Sequence, residues 1–101
     1  MPDFLYLIRP TRAAMLTEGP TADEEALVGQ HFLYLQDLYQ KQVARMVGRT
    51  LTTGPESVGL MLFSAEDATA AEGVAQADPA VVANVFSVSV LPFKTIFPLS
   101  S

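Results

Sequence analysis

Apolar and polar positions along the first half of the chain follow patterns that predict a strand, a loop and a long helix. Residues 3–9, DFLYLIR, are rich in aromatic and branched side chains and stop at a proline, which is typical of a β-strand. The next segment, residues 10–20, has a proline at each end and no steady period, which indicates a loop. Residues 21–48 begin with a capping box headed by Thr21, keep a helical period and end at Gly48, which predicts one long helix.

The second half of the chain predicts three more strands and a second helix. Residues 50–55 and 57–64 have the composition of short strands, and the alanine-rich stretch 65–77 has that of a helix. Residues 79–84 can add one helical turn before a last strand over 85–93. The order β-α-β-β-α-β is that of the α+β ferredoxin-like fold, with the first and third strands central and both helices on one face. We expect a single domain over the whole chain of 101 residues.

The two strands expected at the centre of the sheet are apolar on both faces. Along the first strand, one face carries Phe4, Tyr6 and Ile8, and the other carries Leu5 and Leu7. Along the third strand, one face carries Val58, Leu60 and Leu62, and the other carries Met61 and Phe63. Two helices can cover only one of these faces. We therefore predict a homodimer in which a second copy of the sheet covers the other face.

The predicted long helix carries two neighbouring apolar stripes. Their members recur at helical spacing and are Val28, Phe32, Leu35, Tyr39, Val43 and Met46 in one stripe, and Leu27, His31, Tyr34 and Leu38 in the other. One stripe can pack on the sheet. The other, which holds His31, is expected to border a cavity, a neighbouring loop or the partner subunit.

Composition narrows the classes of function. The formal net charge is −5 and the six cationic residues are scattered, which argues against a nucleic acid partner. With no cysteine and one histidine, thiolate zinc sites, iron–sulfur clusters and cysteine nucleophiles are excluded, and we expect no metal and no cofactor. The chain has neither the pattern of a leader peptide nor an apolar run of membrane-spanning length, so we expect a cytoplasmic protein with no membrane association.

Two residues far apart in the chain carry the candidate chemistry. Histidine exchanges protons readily near neutral pH, and His31 is the only histidine in the sequence. It is either a general acid–base or a residue at the edge of the core whose ring makes a hydrogen bond. Asp78 directly precedes Pro79, which is typical of a helix N-cap. Its carboxylate can equally orient the His31 imidazole and fix its tautomer. Both roles can coexist because a carboxylate has two oxygens.

Further polar residues suggest how a substrate would be held. Arg9 and Arg12 flank the start of the 10–20 loop. They either bind an anionic group of the substrate, with the loop acting as a lid, or are solvated at the surface. Ser87 and Ser89 give the last strand a small polar face. That face either lines a pocket or is an ordinary exposed strand face.

Several segments together resemble the YciI-like proteins, the YCII-related domain family. They are FLYLQDL directly after the histidine, TTGP after the predicted second strand, and then GLMLFSAEDATAA, ADPAVVANVF and VLPFKTIF. The resemblance implies a ferredoxin-like fold assembled as a dimeric α+β barrel, with a pocket between sheet and helices that holds a His–Asp dyad. His31 takes the place of the dyad histidine and Asp78, from ADP, that of the aspartate.

The resemblance and the residues together favour a cofactor-independent enzyme that acts on a small anionic or aromatic molecule. His31 would move a proton, as in an isomerase or a dehydrochlorinase-type lyase, Asp78 would orient it, and Arg9 would bind the anion. One alternative is a module of the same fold that binds a small metabolite without catalysis. Another is an interaction domain whose barrel is purely structural.

Overall fold

Alternating branched and aromatic residues build one four-stranded sheet. In the computed structural model, which describes residues 1–98, the strands are β1 (Asp3–Pro10), β2 (Ala44–Arg49), β3 (Gly59–Ser64) and β4 (Phe86–Phe93). Their order in the sheet is β2-β3-β1-β4, and every neighbouring pair is antiparallel. This confirms the predicted α+β ferredoxin-like class and the central position of the first and third strands.

Four helices connect the strands: α1 (Ala14–Thr17), α2 (Ala22–Gln40), α3 (Ala68–Gln76) and α4 (Pro79–Val82). The start of α2 is the predicted capping box, in which the Thr21 hydroxyl accepts from the Glu24 amide at 3.2 Å. The Glu24 carboxylate in turn accepts from the Thr21 amide at 2.8 Å. The short α1 lies inside the segment predicted to be a loop. Within residues 1–98, no helix has the length and apolar character needed to cross a membrane.

The core lies between the helices and one face of the sheet. β1 places Phe4, Tyr6 and Ile8 on this face, all of them buried. In the register of β1 and β3, Phe4 lies opposite Phe63, and the Phe63 ring packs 5.9 Å from that of Phe4 and 6.0 Å edge-on from that of Tyr6. Leu35 of α2 packs into the same cluster. The alternation of strand residues therefore fixes which side chains meet the helices.

The other face of the sheet is left open by the helices and is largely apolar. It holds partly buried leucines of the two central strands and more exposed residues of the outer strands (Leu5, Leu7, Leu60 and Leu62; Met46, Ser87, Ser89 and Leu91). The predicted alternation of the central strands is thus confirmed, and the serines lie on this open face.

Two predicted element boundaries are wrong. The helix predicted over 21–48 ends at Gln40, and the strand predicted over 50–55 is replaced by β2, six residues earlier in the chain. Residues 50–58 form the loop between β2 and β3. The prediction placed the helix stop at Gly48, which instead lies within β2 opposite Leu60.

The helix stops early because the chain turns through a left-handed residue that is not glycine. Gln42 has φ +65°, and its amide donates to the Tyr39 carbonyl at 3.1 Å. The Val43 amide donates to the Leu38 carbonyl at 2.9 Å. These two bonds form a Schellman motif, whose left-handed position is usually a glycine. Because a glutamine occupies that position, the sequence carries no ordinary stop signal there.

The stripe of α2 that faces the core is the one that holds His31. Tyr34 and Leu38 pack against the main core, whereas Phe32 and Tyr39 of the other stripe are more than half exposed. Leu35 lies at the border of the two stripes and is buried. A histidine can face inward because a buried polar group is tolerated where it has a hydrogen-bond partner.

We predict that the left-handed turn limits which residues can occupy position 42. Gln42→Val should lower the free energy of unfolding by about 1 kcal/mol, because a β-branched residue is strained at positive φ. Gln42→Gly should raise it by about 0.5 kcal/mol, since glycine adopts this conformation without strain. Chemical denaturation measures both changes.

The matched control is Gln40→Val, at an exposed position with helical backbone two residues earlier. It should cost only a few tenths of a kcal/mol through helix propensity. Equal losses of unfolding free energy in the two valine variants would show that the positive φ of residue 42 does not restrict which side chains it accepts.

Candidate active site

Asp78 lies in the short link between α3 and α4, where its side chain is completely buried. One carboxylate oxygen, Oδ1, accepts a hydrogen bond from the Ala80 amide at 3.0 Å. Proline follows at the first position of α4, where an amide proton is not needed. Asp78 is therefore the N-cap that its place before Pro79 predicts.

The second oxygen of Asp78 faces the imidazole of His31. His31 Nδ1 lies 2.7 Å from Asp78 Oδ2, and the two side chains are 3% and 0% exposed. The ring packs against Phe86 of β4, with ring centroids 4.8 Å apart, and against Phe32 at 5.5 Å. The structure therefore joins the two residues that the sequence singled out, and Asp78 is a cap and a histidine partner at once.

Tyr6 of β1 binds the same oxygen. Its hydroxyl donates to Asp78 Oδ2 at 2.8 Å from a side chain that is fully buried. Burial raises the pKa of Tyr6, and the hydrogen bond to Asp78 and the charge of Asp78 raise it further. Tyr6 thus keeps its proton and acts as a donor to the carboxylate.

The sequence analysis did not single out Tyr6 as a site residue, because an aromatic residue alternating with Phe4 and Ile8 is typical of a strand core. One signal was present. A tyrosine among purely apolar neighbours on a buried face needs a hydrogen-bond partner for its hydroxyl.

These contacts determine which nitrogen of His31 carries a proton. An ionised carboxylate only accepts hydrogen bonds, so Nδ1 must donate to Asp78 Oδ2. The neutral imidazole then has its lone pair on Nε2. No hydrogen bond joins Nε2 to another group within residues 1–98, and His31 lines a cavity. This is the arrangement of a general base whose second nitrogen is held by a carboxylate.

The cavity has a volume of about 470 Å³, within the range of small-molecule sites. Its apolar wall comes from β1, β4, α2 and the segment before α2, and includes Ile8, Met15, Leu16, Val28, Phe32 and Phe86. Its polar groups are fewer and are His31, Arg49, Thr50, Thr52 and Ser57. The site therefore suits a largely apolar molecule held by a few polar contacts.

The segment over residues 11–20 lies at the cavity and is tied to the start of α2. The Arg12 guanidinium donates to both carboxylate oxygens of Glu24, at 3.0 and 2.6 Å, and to the Gly19 carbonyl at 3.3 Å. Arg12 lowers the pKa of Glu24 to about 2. At pH values above the ordinary pKa of a glutamate, Glu24 is fully ionised and the ion pair contributes its full stabilisation. That contribution is lost only as the pH falls towards 2. Arg12 is thus engaged in holding this segment.

Arg9 does not line the cavity. It lies opposite Ser87 in the register of β1 and β4 and is exposed on the open face of the sheet. Because side chains alternate along a strand, the residue next to buried Ile8 points away from the helices. The arginine that does line the cavity is Arg49, at the end of β2. The sequence prediction missed it because the long helix was expected to end at Gly48 and the next strand to begin at residue 50, so Arg49 was assigned to neither element.

A solved structure, the 5-chloro-2-hydroxyhydroquinone dehydrochlorinase TftG from Burkholderia phenoliruptrix AC1100 in complex with 2,5-dihydroxybenzoquinone, is 20% identical to the chain. The alignment covers 90% of this chain and 93% of that one, with a TM-score of 0.64, which shows that the two share a fold.

No curated protein matches the chain. The family model of the YCII-related domain matches residues 3–94, which is nearly the whole sequence. The chain therefore belongs to the YCII-related domain family.

Proposed function

We propose that this protein is a small-molecule enzyme that uses His31 as a general acid–base and Asp78 as the group that orients it. The observation that supports the proposal is the buried bond of 2.7 Å between His31 Nδ1 and Asp78 Oδ2, beside a cavity that His31 lines. Proton transfer of this kind requires only a positioned base, so we propose that no metal or organic cofactor takes part.

The proposed first step is transfer of a proton from a C–H or O–H group of the substrate to Nε2. The electron pair of the broken bond stays on the substrate, and the ring becomes an imidazolium whose Nδ1–H faces the negative charge of Asp78. That charge stabilises the imidazolium and holds the ring in place. General acid–base catalysis by such a residue typically accelerates a reaction by about 10²- to 10⁴-fold.

Two outcomes are consistent with this step. In an isomerisation, the imidazolium returns the proton to a different atom of the substrate. In an elimination, the electron pair forms a new double bond and expels an anion such as chloride, and the proton later leaves Nε2 for water. The name of the structural neighbour, a dehydrochlorinase bound to a dihydroxybenzoquinone, supports testing the elimination first.

We predict that removing the base abolishes turnover without unfolding the protein. A panel of chlorinated hydroxyhydroquinones and small lactones in D₂O, followed by chloride release and proton NMR, should yield a substrate for the wild-type protein. His31→Asn should lower kcat on that substrate by about 10²- to 10⁴-fold. The asparagine amide can still donate to Asp78 from near the position of Nδ1 but cannot take up a proton.

Circular dichroism and the melting temperature provide the control, because both should remain close to wild type in His31→Asn. Undiminished turnover in that variant would rule out His31 as the base. Wild-type protein that binds members of the panel and converts none of them would favour the binding module instead.

We predict that the capping and orienting roles of Asp78 separate in Asp78→Asn. The asparagine side-chain oxygen can keep the hydrogen bond from the Ala80 amide, so most of the cap contribution of about 0.5–2 kcal/mol should remain. Its NH₂ group would face Nδ1 and favour the tautomer that carries its proton on Nε2. Activity should then fall about as far as in His31→Asn.

Long-range ¹H–¹⁵N NMR of the imidazole distinguishes this effect from simple destabilisation. His31 is the only histidine, so its ring signals need no assignment. The wild-type ring should be protonated on Nδ1 when neutral, and the Asp78→Asn ring on Nε2. An unchanged tautomer in a variant that has lost activity would show that Asp78 does not act through the ring.

We also propose that the working form is a homodimer joined through the open face of the sheet. The support is the apolar character of that face, where Leu5, Leu7, Leu60 and Leu62 are covered by none of the helices described above. A face of this kind on a small protein is typical of an interface between identical copies.

We predict that Leu62→Glu converts a dimer into a monomer in size-exclusion chromatography with light scattering at micromolar concentration. A carboxylate at the centre of the open face would be desolvated without a partner on association. Leu33→Glu is the matched control, because Leu33 is 66% exposed on the outer side of α2. Dissociation by Leu33→Glu and not by Leu62→Glu would place the interface on the helices, and a monomeric wild type would contradict the proposal.

A further inference from the structure

The cavity carries one permanent charge, and that charge is positive. Among its lining residues, Arg49 and His31 are the ionisable ones, and no aspartate or glutamate of residues 1–98 lines it. Asp78 is fully buried and does not line the cavity either. The protein as a whole has a formal charge of −5, so this distribution runs against its average composition.

Arg49 has no protein partner in the described part of the chain. Arg12 and Arg45 are paired with Glu24 and Asp3, at 2.6 Å in both cases, but no ion pair or side-chain hydrogen bond within residues 1–98 involves Arg49. A guanidinium is weakly hydrated and presents a planar set of donors that fits a carboxylate or a phenolate. Three hydroxyl residues, Thr50, Thr52 and Ser57, also line the cavity, and Thr52 is hydrogen-bonded to both of the others.

The position of Arg49 follows from the register of β2 and β3. Arg49 lies opposite Gly59, and Val47 lies opposite buried Met61, so both point to the helix side of the sheet. A Cβ at Gly59 would lie 3.3 Å from Ile8 Cβ, so the glycine keeps this part of the cavity floor free of a side chain. The strand therefore places the guanidinium on the cavity side.

His31 and Arg49 lie on the same face of the sheet but near its opposite edges. The His31 ring packs on Phe86 of β4, and Arg49 ends β2, and these two strands are the edges of the sheet. Because neighbouring strands lie about 4.8 Å apart, β2 and β4 are about 14 Å apart. The Arg49 and His31 side chains both reach the cavity, so a molecule that contacts both lies across the apolar part of the cavity between them.

We propose that the substrates are flat organic anions, with the apolar body between β2 and β4 and a carboxylate or phenolate oxygen bound by Arg49. The atom that loses its proton to His31 then lies at the other end of the molecule. Arg49, and not Arg9, is in this view the residue that selects for negative charge. The assignment rests on the proposed function for the role of His31, but the binding preference itself does not require catalysis.

Equilibrium binding of benzoate and benzamide tests this assignment, because the two probes have nearly the same shape and differ in charge. Titrations followed by NMR of the protein should show wild type binding benzoate at least about tenfold more tightly than benzamide. Arg49→Gln should bring the ratio close to one while changing the Kd for benzamide less than about threefold. Arg9→Gln, the matched loss of one positive charge on the open face, should leave the ratio unchanged.

His31→Asn separates this proposal from the proposed function. It should keep the preference for benzoate, because the anion contacts Arg49 and not the imidazole. Loss of the preference in His31→Asn but not in Arg49→Gln would overturn the assignment, as would wild-type protein that binds both probes equally or neither. A failure of turnover in the earlier assays would leave the ratio of the two Kd values untouched.

Discussion

The carboxylate of Asp78 is removed from water completely, and the fold supplies three hydrogen bonds in its place. The donors are the Tyr6 hydroxyl of β1, the His31 imidazole of α2 and the Ala80 amide of α4. Breaking a buried charged pair by removing one partner typically costs about 3–5 kcal/mol, so these contacts are strongly coupled. A central strand, the long helix and the link between α3 and α4 therefore meet at one charged group.

The same contacts determine what the imidazole can do. Tyr6 keeps its proton and Asp78 can only accept, so the ring has to donate from Nδ1 and keep its lone pair on Nε2. Phe86 and Phe32 restrict the ring from two sides. The site thus fixes the tautomer and the orientation before any ligand enters. Such preorganisation is what makes general base catalysis effective, since no reorganisation is needed during the reaction.

The sequence predicted the parts of this site that have a strong local signal. An aspartate before a proline predicts a cap, and a lone histidine on an apolar stripe of a helix predicts either a buried partner or a cavity; here both are present. Tyr6 was missed because its place in the alternation of β1 is explained by a role in the core alone. Only the tertiary structure shows that its hydroxyl reaches a group 72 positions later in the chain.

Two errors of prediction, the misplaced second strand and the overlooked Arg49, have one origin, the end of the long helix. Gln42 occupies a left-handed position without being glycine, so the helix was extended through the segment that forms β2. Arg49 was therefore not considered for the cavity, and Arg9 was preferred. Position in a strand, and not proximity in sequence to the loop, decides which arginine lines the cavity. Arg9 alternates with buried Ile8, whereas Arg49 lies on the same face of the sheet as Val47.

The groups that hold the His31 imidazole lie in the core, whereas many of the groups that shape the rest of the cavity lie in loops. Tyr6, His31 and Asp78 are packed into the core, where a substitution that breaks one of their hydrogen bonds leaves a buried polar group without a partner. The remaining polar wall comes from the end of β2 and the 50–58 loop, and part of the apolar wall comes from residues 10–20. Loops tolerate substitution far better than a buried hydrogen-bonded cluster. It follows that substitutions in these two segments can change which molecule fits the cavity while the buried His31–Asp78 pair stays as it is.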